Sequence, residues 1–173
     1  MASDIGEFAL DIAGDIFYLA ANAIGEIDSD TGAILSIALP PNAFVNPTQL
    51  RVDLSGNIFV LDSGRVQRVN PATGALTLVA GNQSNVYSGD GSPAVNAGLY
   101  YPRAIALDTA GNLFIGEWDS RVREVYAATQ IIKTIAGNGT NGNFGRRWAG
   151  GRGAVGGPCV AGGRRDWQCV LCG

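Results

Sequence analysis

The sequence has no histidine among its 173 residues, and its three cysteines (Cys159, Cys169 and Cys172) all lie in the last part of the chain. Histidine is the commonest general base of enzymes and a frequent metal ligand, so its absence excludes many catalytic arrangements. Cys169 and Cys172 have the CxxC spacing of zinc and redox sites. A structural zinc site needs four ligands, however, and no βαβ pattern surrounds the pair. We therefore expect no metal, no redox site and no cofactor.

Long apolar runs are missing as well. The chain is 46% apolar, enough to bury a core in one domain, yet no stretch is long and apolar enough to span a membrane. The start, MASDIGEFALDIAG, has neither a positively charged segment nor a continuous apolar run. No membrane insertion is therefore expected, no signal peptide is visible, and the compartment stays unknown.

Basic side chains are scarce before residue 145 and abundant after it. Residues 1–144 hold 7 basic and 14 acidic side chains, a net charge of −7, whereas residues 145–173 hold five arginines against Asp166, a net charge of +4. An acidic body with little basic clustering binds phosphate poorly, so no nucleic-acid partner is expected. Trp118, the one tryptophan before the tail, is accordingly predicted to pack within the fold rather than to stack a base.

What the sequence does contain is a repeat. The segments FALDIAGDIFYLA, LRVDLSGNIFVLD and IALDTAGNLFIGE begin at Phe8, Leu50 and Ile105 and superpose without gaps. In each, an alternating apolar strand ends at an aspartate, a glycine follows three residues later, and a second strand begins at once. Aspartate starts such turns by bonding to the backbone ahead of it, and glycine takes the positive φ. The predicted structural turn residues are Asp11, Gly14, Asp53, Gly56, Asn57, Asp108, Gly111 and Asn112.

Each second strand leads to two more. Third strands are predicted from Ala23, Arg65 and Arg121, and a polar turn then introduces a fourth. Four short antiparallel strands, repeated three times, predict an all-β fold, namely a partial β-propeller of three four-stranded antiparallel blades. The predicted blades cover about 5–40, 50–81 and 104–137, with an inter-blade loop at 82–103 that contains one short helix near SPAVNAGLY.

The stretches LDTAGNLFIGEWDSRVREV, TIAGNGTNG and SGDGSPAVNAGLYYPRAIALD resemble the NHL-repeat β-propeller family, in particular its bacterial type. The resemblance covers roughly residues 5–144, and repeat one departs from it with Asp15 where the others have Asn57 and Asn112. It implies a scaffold more than an activity, because one fold hosts many functions. The function it implies is a non-catalytic binding or scaffold module for a protein or a small ligand, in an exported parent protein.

The alternative is a fragment of a propeller enzyme. The related amidating and streptogramin lyases depend on histidine, which this chain lacks. Gluconolactonase-like propellers hold a metal with carboxylates and asparagine, and Glu7, Asn57 and Asp108 are the residues that could do so here. Because Asp108 is a repeated turn residue, and repeated residues are usually structural, we expect no enzyme activity.

Two glycine-rich loops are the predicted binding loops. SGDGSPA (Ser88–Ala94) and AGNG (Ala136–Gly139) have neither the lysine and Ser/Thr of a P-loop nor the strand–helix context of a dinucleotide site. They lie between blades, where propellers usually present their binding surface. The candidate binding residues are Gly89, Asp90, Gly91, Asn138 and Gly139.

Other charged positions have structural interpretations. The turn DSDTG at 28–32 has the alternating carboxylates of a calcium loop, but the same turn in repeat two, NPATG, lacks them. A polar turn between strands is therefore predicted. Arg65 and Arg121 occupy one repeat position, and pairing with nearby acidic residues such as Asp62 or Asp119 is predicted for them.

The tail at 145–173 is predicted to be irregular as translated and to be a fourth blade read out of frame. When each codon is read from its second base, Trp148–Ala149 and Trp167–Gln168 both encode glycine, and Gln168–Cys169 encodes Asn or Ser. At a constant offset of 56 residues, Trp148 falls opposite Ser92 of the GDGSPA loop, Trp167 opposite Gly111 and Gln168 opposite Asn112. The change in charge and cysteine use then needs no functional cause.

Three blades do not close a propeller, which has four to eight. An open arc exposes apolar blade faces and strand edges, which promote association. We therefore expect either a longer parent protein or self-association that covers the open blades.

Overall fold

The computed structural model describes residues 5–140, which form twelve β-strands and one short 3-10 helix. The predicted all-β fold of three four-stranded antiparallel blades is confirmed. Blade one contains β1 (Ile5–Leu10), β2 (Ile16–Ala20), β3 (Ala23–Ile27) and β4 (Ile34–Ser36). Blade two contains β5 (Pro47–Val52), β6 (Ile58–Asp62), β7 (Arg65–Val69) and β8 (Leu76–Ala80). Blade three contains β9 (Pro102–Leu107), β10 (Leu113–Glu117), β11 (Val122–Val125) and β12 (Ile132–Ala136).

The aspartate–glycine turns join the first two strands of each blade as predicted. In blade two, the Asp53 carboxylate accepts the backbone N–H groups of Ser55 (2.8 Å) and Asn57 (2.9 Å), and Gly56 has φ +79°. Asp11 and Asp108 accept the corresponding bonds in the other blades. These local bonds set the register of each hairpin, so the alternating apolar residues fall on the faces between blades.

Two hydrophobic clusters fill the spaces between blades. One lies between blades one and two and includes Phe17, Ile24 and Val60. The other lies between blades two and three and includes Leu61, Ile105 and Ile115. The first strands of neighbouring blades are in contact, β1 with β5 and β5 with β9, so the first strand of every blade is the innermost.

The segment between blades two and three packs into the fold rather than standing out from it. Its 3-10 helix η1 (Ala94–Asn96) confirms the short helix predicted near SPAVNAGLY. The carbonyl of Ala94 accepts the N–H of Gly81 (2.9 Å), and the N–H of Ala94 bonds to Gln130 (2.8 Å). Ala94, Ala97 and Leu99 are buried in the second cluster, so this segment packs between blades two and three and contributes to their shared core.

The outward face of blade one is exposed where equivalent faces are buried. Phe8 is 60% exposed, whereas Leu50 and Ile105, at the same position of the repeat, are 0% and 1% exposed. Leu10 and Ile34 on the same blade are exposed as well. Blade one therefore presents to its surroundings a face that in the other blades packs on a neighbour.

None of the helical structure within residues 5–140 is long and apolar enough to cross a membrane. The tail at 145–173, for which an out-of-frame blade is predicted, lies outside the described residues.

Candidate ligand-binding cleft

A cleft of about 490 Å³ opens at the end of the blades where β5 and β9 begin, called here the upper end. A second hollow of about 260 Å³ shares Tyr101 and Arg103 with it, so the two form one surface, the upper cleft. Its lining residues are Asn46, Thr48, Leu61, Ser63, Gly64, Asn85, Tyr100, Tyr101, Pro102, Arg103 and Trp118. A volume of this order accommodates a small organic ligand.

The backbone around the upper cleft is strained at three non-glycine residues. Ser63, Asn85 and Tyr101 have φ values of +45°, +51° and +42°. An L-residue in this region costs on the order of 1–3 kcal/mol, which the surrounding structure must offset. Residues of this kind cluster at ligand sites, because the strain holds side chains in positions that a relaxed loop would not give them.

Asp62 holds the first side of the cleft. Its Oδ1 accepts the backbone N–H groups of Val45 (2.9 Å) and Asn46 (2.7 Å), just before β5. Its Oδ2 pairs with Arg65 at 2.9 Å, and the Asp62 side chain is fully buried. The predicted Arg65 pair is thus confirmed, as is the pair of Arg121 with Asp119. The cleft loop that carries Asn46 is therefore anchored by a charged, fully paired group.

The second side is held by the backbone at the end of β10, next to Glu117. The N–H of Trp118 donates to the Tyr100 carbonyl at 3.2 Å. Glu117 and Asp62 are the last residues of their 13-residue repeats, where repeat one has Ala20. Sequence reasoning missed these two buried carboxylates, although their shared repeat position was a visible signal.

The aromatic side chains of the upper cleft are largely accessible. Trp118 is 50% exposed and Tyr101 54% exposed, and the guanidinium carbon of Arg103 lies 3.6 Å from the centre of the Trp118 ring. The rings of Tyr100 and Tyr101 meet edge to face at 5.1 Å. The prediction that Trp118 packs within a blade was wrong, because it follows β10 in the turn where the side chain leaves the sheet.

Behind the cleft, the Arg123 side chain is fully buried and forms hydrogen bonds with four partners. Its guanidinium donates to Asp90 (3.0 Å), to the carbonyls of Gly98 (2.9 Å) and Ser88 (2.8 Å), and to Glu117 at 3.4 Å. Glu117 Oε2 is buried without a hydrogen-bond partner in residues 5–140. Burial raises the pKa of Glu117 to about 7, and Asp119 adds to the rise although Arg123 opposes it.

This raised pKa makes stability depend on pH. A carboxyl that holds its proton more tightly when folded stabilises the fold fully below its unfolded pKa of 4.5, and this contribution is lost as pH rises through about 7. Glu117→Gln keeps the neutral form at every pH. Between pH 5 and pH 8, we expect the difference in unfolding free energy to move in favour of the variant by roughly 2–3 kcal/mol. Urea unfolding at both pH values measures it, and a difference that does not change with pH contradicts the assignment.

The predicted binding loops contact other parts of the chain. Asp90 accepts hydrogen bonds from Tyr87 (3.0 Å) and from the Thr134 N–H (2.9 Å) in addition to Arg123, and these lower its pKa against the effect of burial. The N–H of Gly91 bonds to Ile132, and the Asn138 carbonyl accepts from Arg121. Gly89 and Gly139 have positive φ. These contacts give the loops a structural role, and ligand binding by them stays a prediction.

The turn at 28–32 is the predicted polar turn. The Asp28 carboxylate accepts the backbone N–H groups of Asp30 and Thr31 and the Thr31 hydroxyl, and these bonds lower its pKa. Asn70 accepts the equivalent backbone bonds in blade two. An aspartate and an asparagine thus serve the same turn, as the repeat indicated.

The three residues considered for a metal do not come together. Glu7 pairs with Arg51 at 2.6 Å, Asn57 donates to Asp53, and Asp108 accepts bonds within its own turn. Across the described part of the chain, no group of three or more His, Cys, Asp or Glu side chains could hold a metal ion.

No protein-family model matches the chain, and no curated protein does. Solved structures do resemble it. A structural-genomics protein of unknown function from Bacteroides thetaiotaomicron has a TM-score of 0.63 at 20% identity, over 78% of this chain and 36% of that one. A chain of a nidogen/laminin complex has 0.59 at 19%, over 78% and 49%. An auxiliary nutrient binding protein from Bacteroides thetaiotaomicron has 0.56 at 15%, over 76% and 36%.

The chain thus spans less than half the length of these structures, and at such identities the likeness concerns the fold alone. That fold agrees with the three sheets, their innermost first strands and the apolar clusters between them. The three sheets are consecutive blades of a β-propeller.

Proposed function

We propose that this chain is a non-catalytic binding module of the NHL-repeat type, and that its ligand occupies the upper cleft. The observation that carries the proposal is the combination at one concavity of exposed aromatic rings, unpaired amide groups and strained backbone. The side chains of Asn46 and Asn85 have no hydrogen-bond partner among the residues the structure describes, so both are free to bind a ligand. The backbone of Asn46 is fixed by its hydrogen bond to the Asp62 carboxylate.

The composition of the lining favours binding over catalysis. A catalytic site needs a nucleophile activated by a base, or a carboxylate or metal placed beside the reacting atoms. The upper cleft is lined by amide, hydroxyl, aromatic and arginine side chains, with no acidic residue among them. The alternative, a gluconolactonase-like or lyase-like enzyme, would need such a group at this surface. The auxiliary nutrient binding protein described above has a similar fold, so the fold is compatible with the proposed binding function.

A fragment screen by ligand-observed NMR tests the proposal. We expect hits of millimolar affinity that broaden in the presence of the protein, because a pocket of this size with exposed rings favours stacking ligands. Tyr101→Ala should weaken these hits at least about fivefold. Tyr126→Ala is the matched control, since Tyr126 is also exposed but lies after β11 at the opposite end of the blade. A screen without hits, or hits that survive loss of Tyr101, would oppose a binding role for the cleft.

We also propose that a second copy of the chain covers the outward face of blade one. In both junctions of this chain, the face that includes Phe17 or Leu61 of one blade packs on the face that includes Leu50 or Ile105 of the next. The outward face of blade three is of the first kind and exposes Ile135, and that of blade one is of the second kind. Two copies can therefore pack head to tail by the contacts already used inside each copy.

Phe8→Glu should abolish this association. A charge on this face cannot be buried without a partner, so the apparent mass in size exclusion with light scattering should fall to that of one chain. Leu54→Glu is the matched control, because Leu54 is 56% exposed but lies in the turn after β5, away from the blade faces. A wild-type protein that is already monomeric at about 100 μM, or a Phe8→Glu protein of unchanged mass, would refute the proposal.

A further inference from the structure

The charge of the upper cleft is opposite to that of the chain around it. Residues 5–140 carry 13 acidic and 7 basic side chains, yet the lining of the cleft contains Arg103 and no acid. The carboxylates next to lining residues in the sequence, Asp62, Glu117 and Asp119, do not line the cleft, and each already has an arginine partner. An anion that enters the cleft therefore meets one cation and no competing negative charge at contact distance.

The Arg103 guanidinium packs on an aromatic ring but forms no ion pair within residues 5–140. Within residues 5–140, four other arginines form ion pairs with carboxylates, and Arg103 forms none. It lies against the Trp118 ring at 3.6 Å, so one face of the guanidinium is covered and its orientation is fixed. The N–H edge of a stacked guanidinium remains available, and its fork matches the two oxygens of a carboxylate.

A planar apolar group can be accommodated beside that edge. Tyr101 lies two residues from Arg103, lines both hollows and is 54% exposed. Tyr101 has a positive φ, a backbone conformation that tyrosine rarely adopts. Its ring packs on one side against Tyr100 in an edge-to-face contact. An aromatic ring of a ligand can stack on the accessible surface of Tyr101.

We propose that the upper cleft selects a small aromatic carboxylate, with the carboxylate bound in a forked pair by Arg103 and the ring stacked on Tyr101. This inference rests on the proposed binding function and names its ligand class. The amides of Asn46 and Asn85, which line the same larger hollow, then bind polar substituents of the ring.

Benzoate and its neutral isostere benzamide are the probes. Amide and indole signals in proton–nitrogen NMR report binding, and Trp118 is assigned with Trp118→Phe. We expect benzoate to shift the signals of Tyr101, Arg103 and Trp118 with a millimolar Kd, and benzamide to bind at least about tenfold more weakly, since a charge-assisted forked pair is lost. Raising NaCl from 20 to 300 mM should weaken benzoate and leave benzamide unchanged.

Substitutions distinguish specific binding by the Arg103 guanidinium from a general effect of positive charge on the protein. Arg103→Gln should weaken benzoate about tenfold and benzamide by no more than about threefold, because benzamide accepts only one neutral hydrogen bond there. Arg103→Lys should recover only part of the benzoate loss because lysine has no fork. Arg68→Gln is the control, since Arg68 is likewise exposed and forms no ion pair within residues 5–140. Equal affinity for both probes, or unchanged benzoate binding in Arg103→Gln, would contradict recognition of a carboxylate by Arg103. The proposed binding function would not be affected. No shift by benzoate at 50 mM also contradicts recognition of a carboxylate, and the fragment screen then decides the function alone.

Discussion

Replacing Arg123 with methionine should lower the free energy of unfolding by about 3–5 kcal/mol at pH 8, which is the usual cost of removing one partner from a buried ion pair. Methionine fills a similar volume but donates no hydrogen bond. Asp90 and Glu117 would lose their shared cation, and the carbonyls of Ser88 and Gly98 would lose their donor. Because a small domain is stable by about 5–15 kcal/mol, such a loss approaches the whole stability of the fold.

The loss should be smaller at pH 5 than at pH 8. Glu117 has a pKa of about 7 in the intact protein, so at pH 5 it is already neutral and leaves no unpaired charge when Arg123 is removed. Combining Arg123→Met with Glu117→Gln should therefore restore part of the stability lost at pH 8. Denaturant unfolding of the two single variants and the double variant gives this coupling directly.

Arg68→Met is the control for the loss of an arginine as such. Arg68 is exposed and makes no ion pair within the described residues, so its replacement should change stability by no more than about 0.5 kcal/mol. If Arg123→Met and Arg68→Met cost the same, the buried network does not hold blade three to the segment before it.

The contrast between the turns and this network shows what the sequence could predict. The Asp53 turn was readable because every bond it makes is local and the same residues recur in three repeats. Arg123 was not, because its repeat position holds Gly25 and Gln67 in the other blades, and its partner Asp90 lies 33 residues away. A non-repeated, long-range network leaves no pattern in one sequence.

The candidate site was harder still. The sequence predicted binding at two glycine-rich loops, which stays a prediction. The upper cleft instead depends on where Tyr101 and Trp118 project, and neither belongs to those loops. The left-handed backbone at Tyr101 has no signal in the residue type, because tyrosine rarely adopts it. Of the residues near the cleft, Asp62 and Glu117 could have been predicted from the sequence, since both end the same repeated segment.

Gly74→Ala should cost about 2–4 kcal/mol, and Gly32→Ala only about 1–2 kcal/mol. The two glycines close the same turn in blades two and one, with φ +67° and +70°, and each donates a 2.8 Å backbone bond to the residue that starts the turn. The strain of a positive φ is therefore common to both substitutions. What differs is the space around them.

At Gly74, an added methyl group would meet the carbonyl oxygen of Ala38, in the link from blade one to blade two, whereas at Gly32 nothing lies within 4 Å. The excess cost of Gly74→Ala over Gly32→Ala in urea unfolding, about 1–2 kcal/mol, thus measures how tightly the second turn packs against the link from blade one. Equal costs would mean that the link at Ala38 gives way freely, and that apolar packing alone holds blades one and two together.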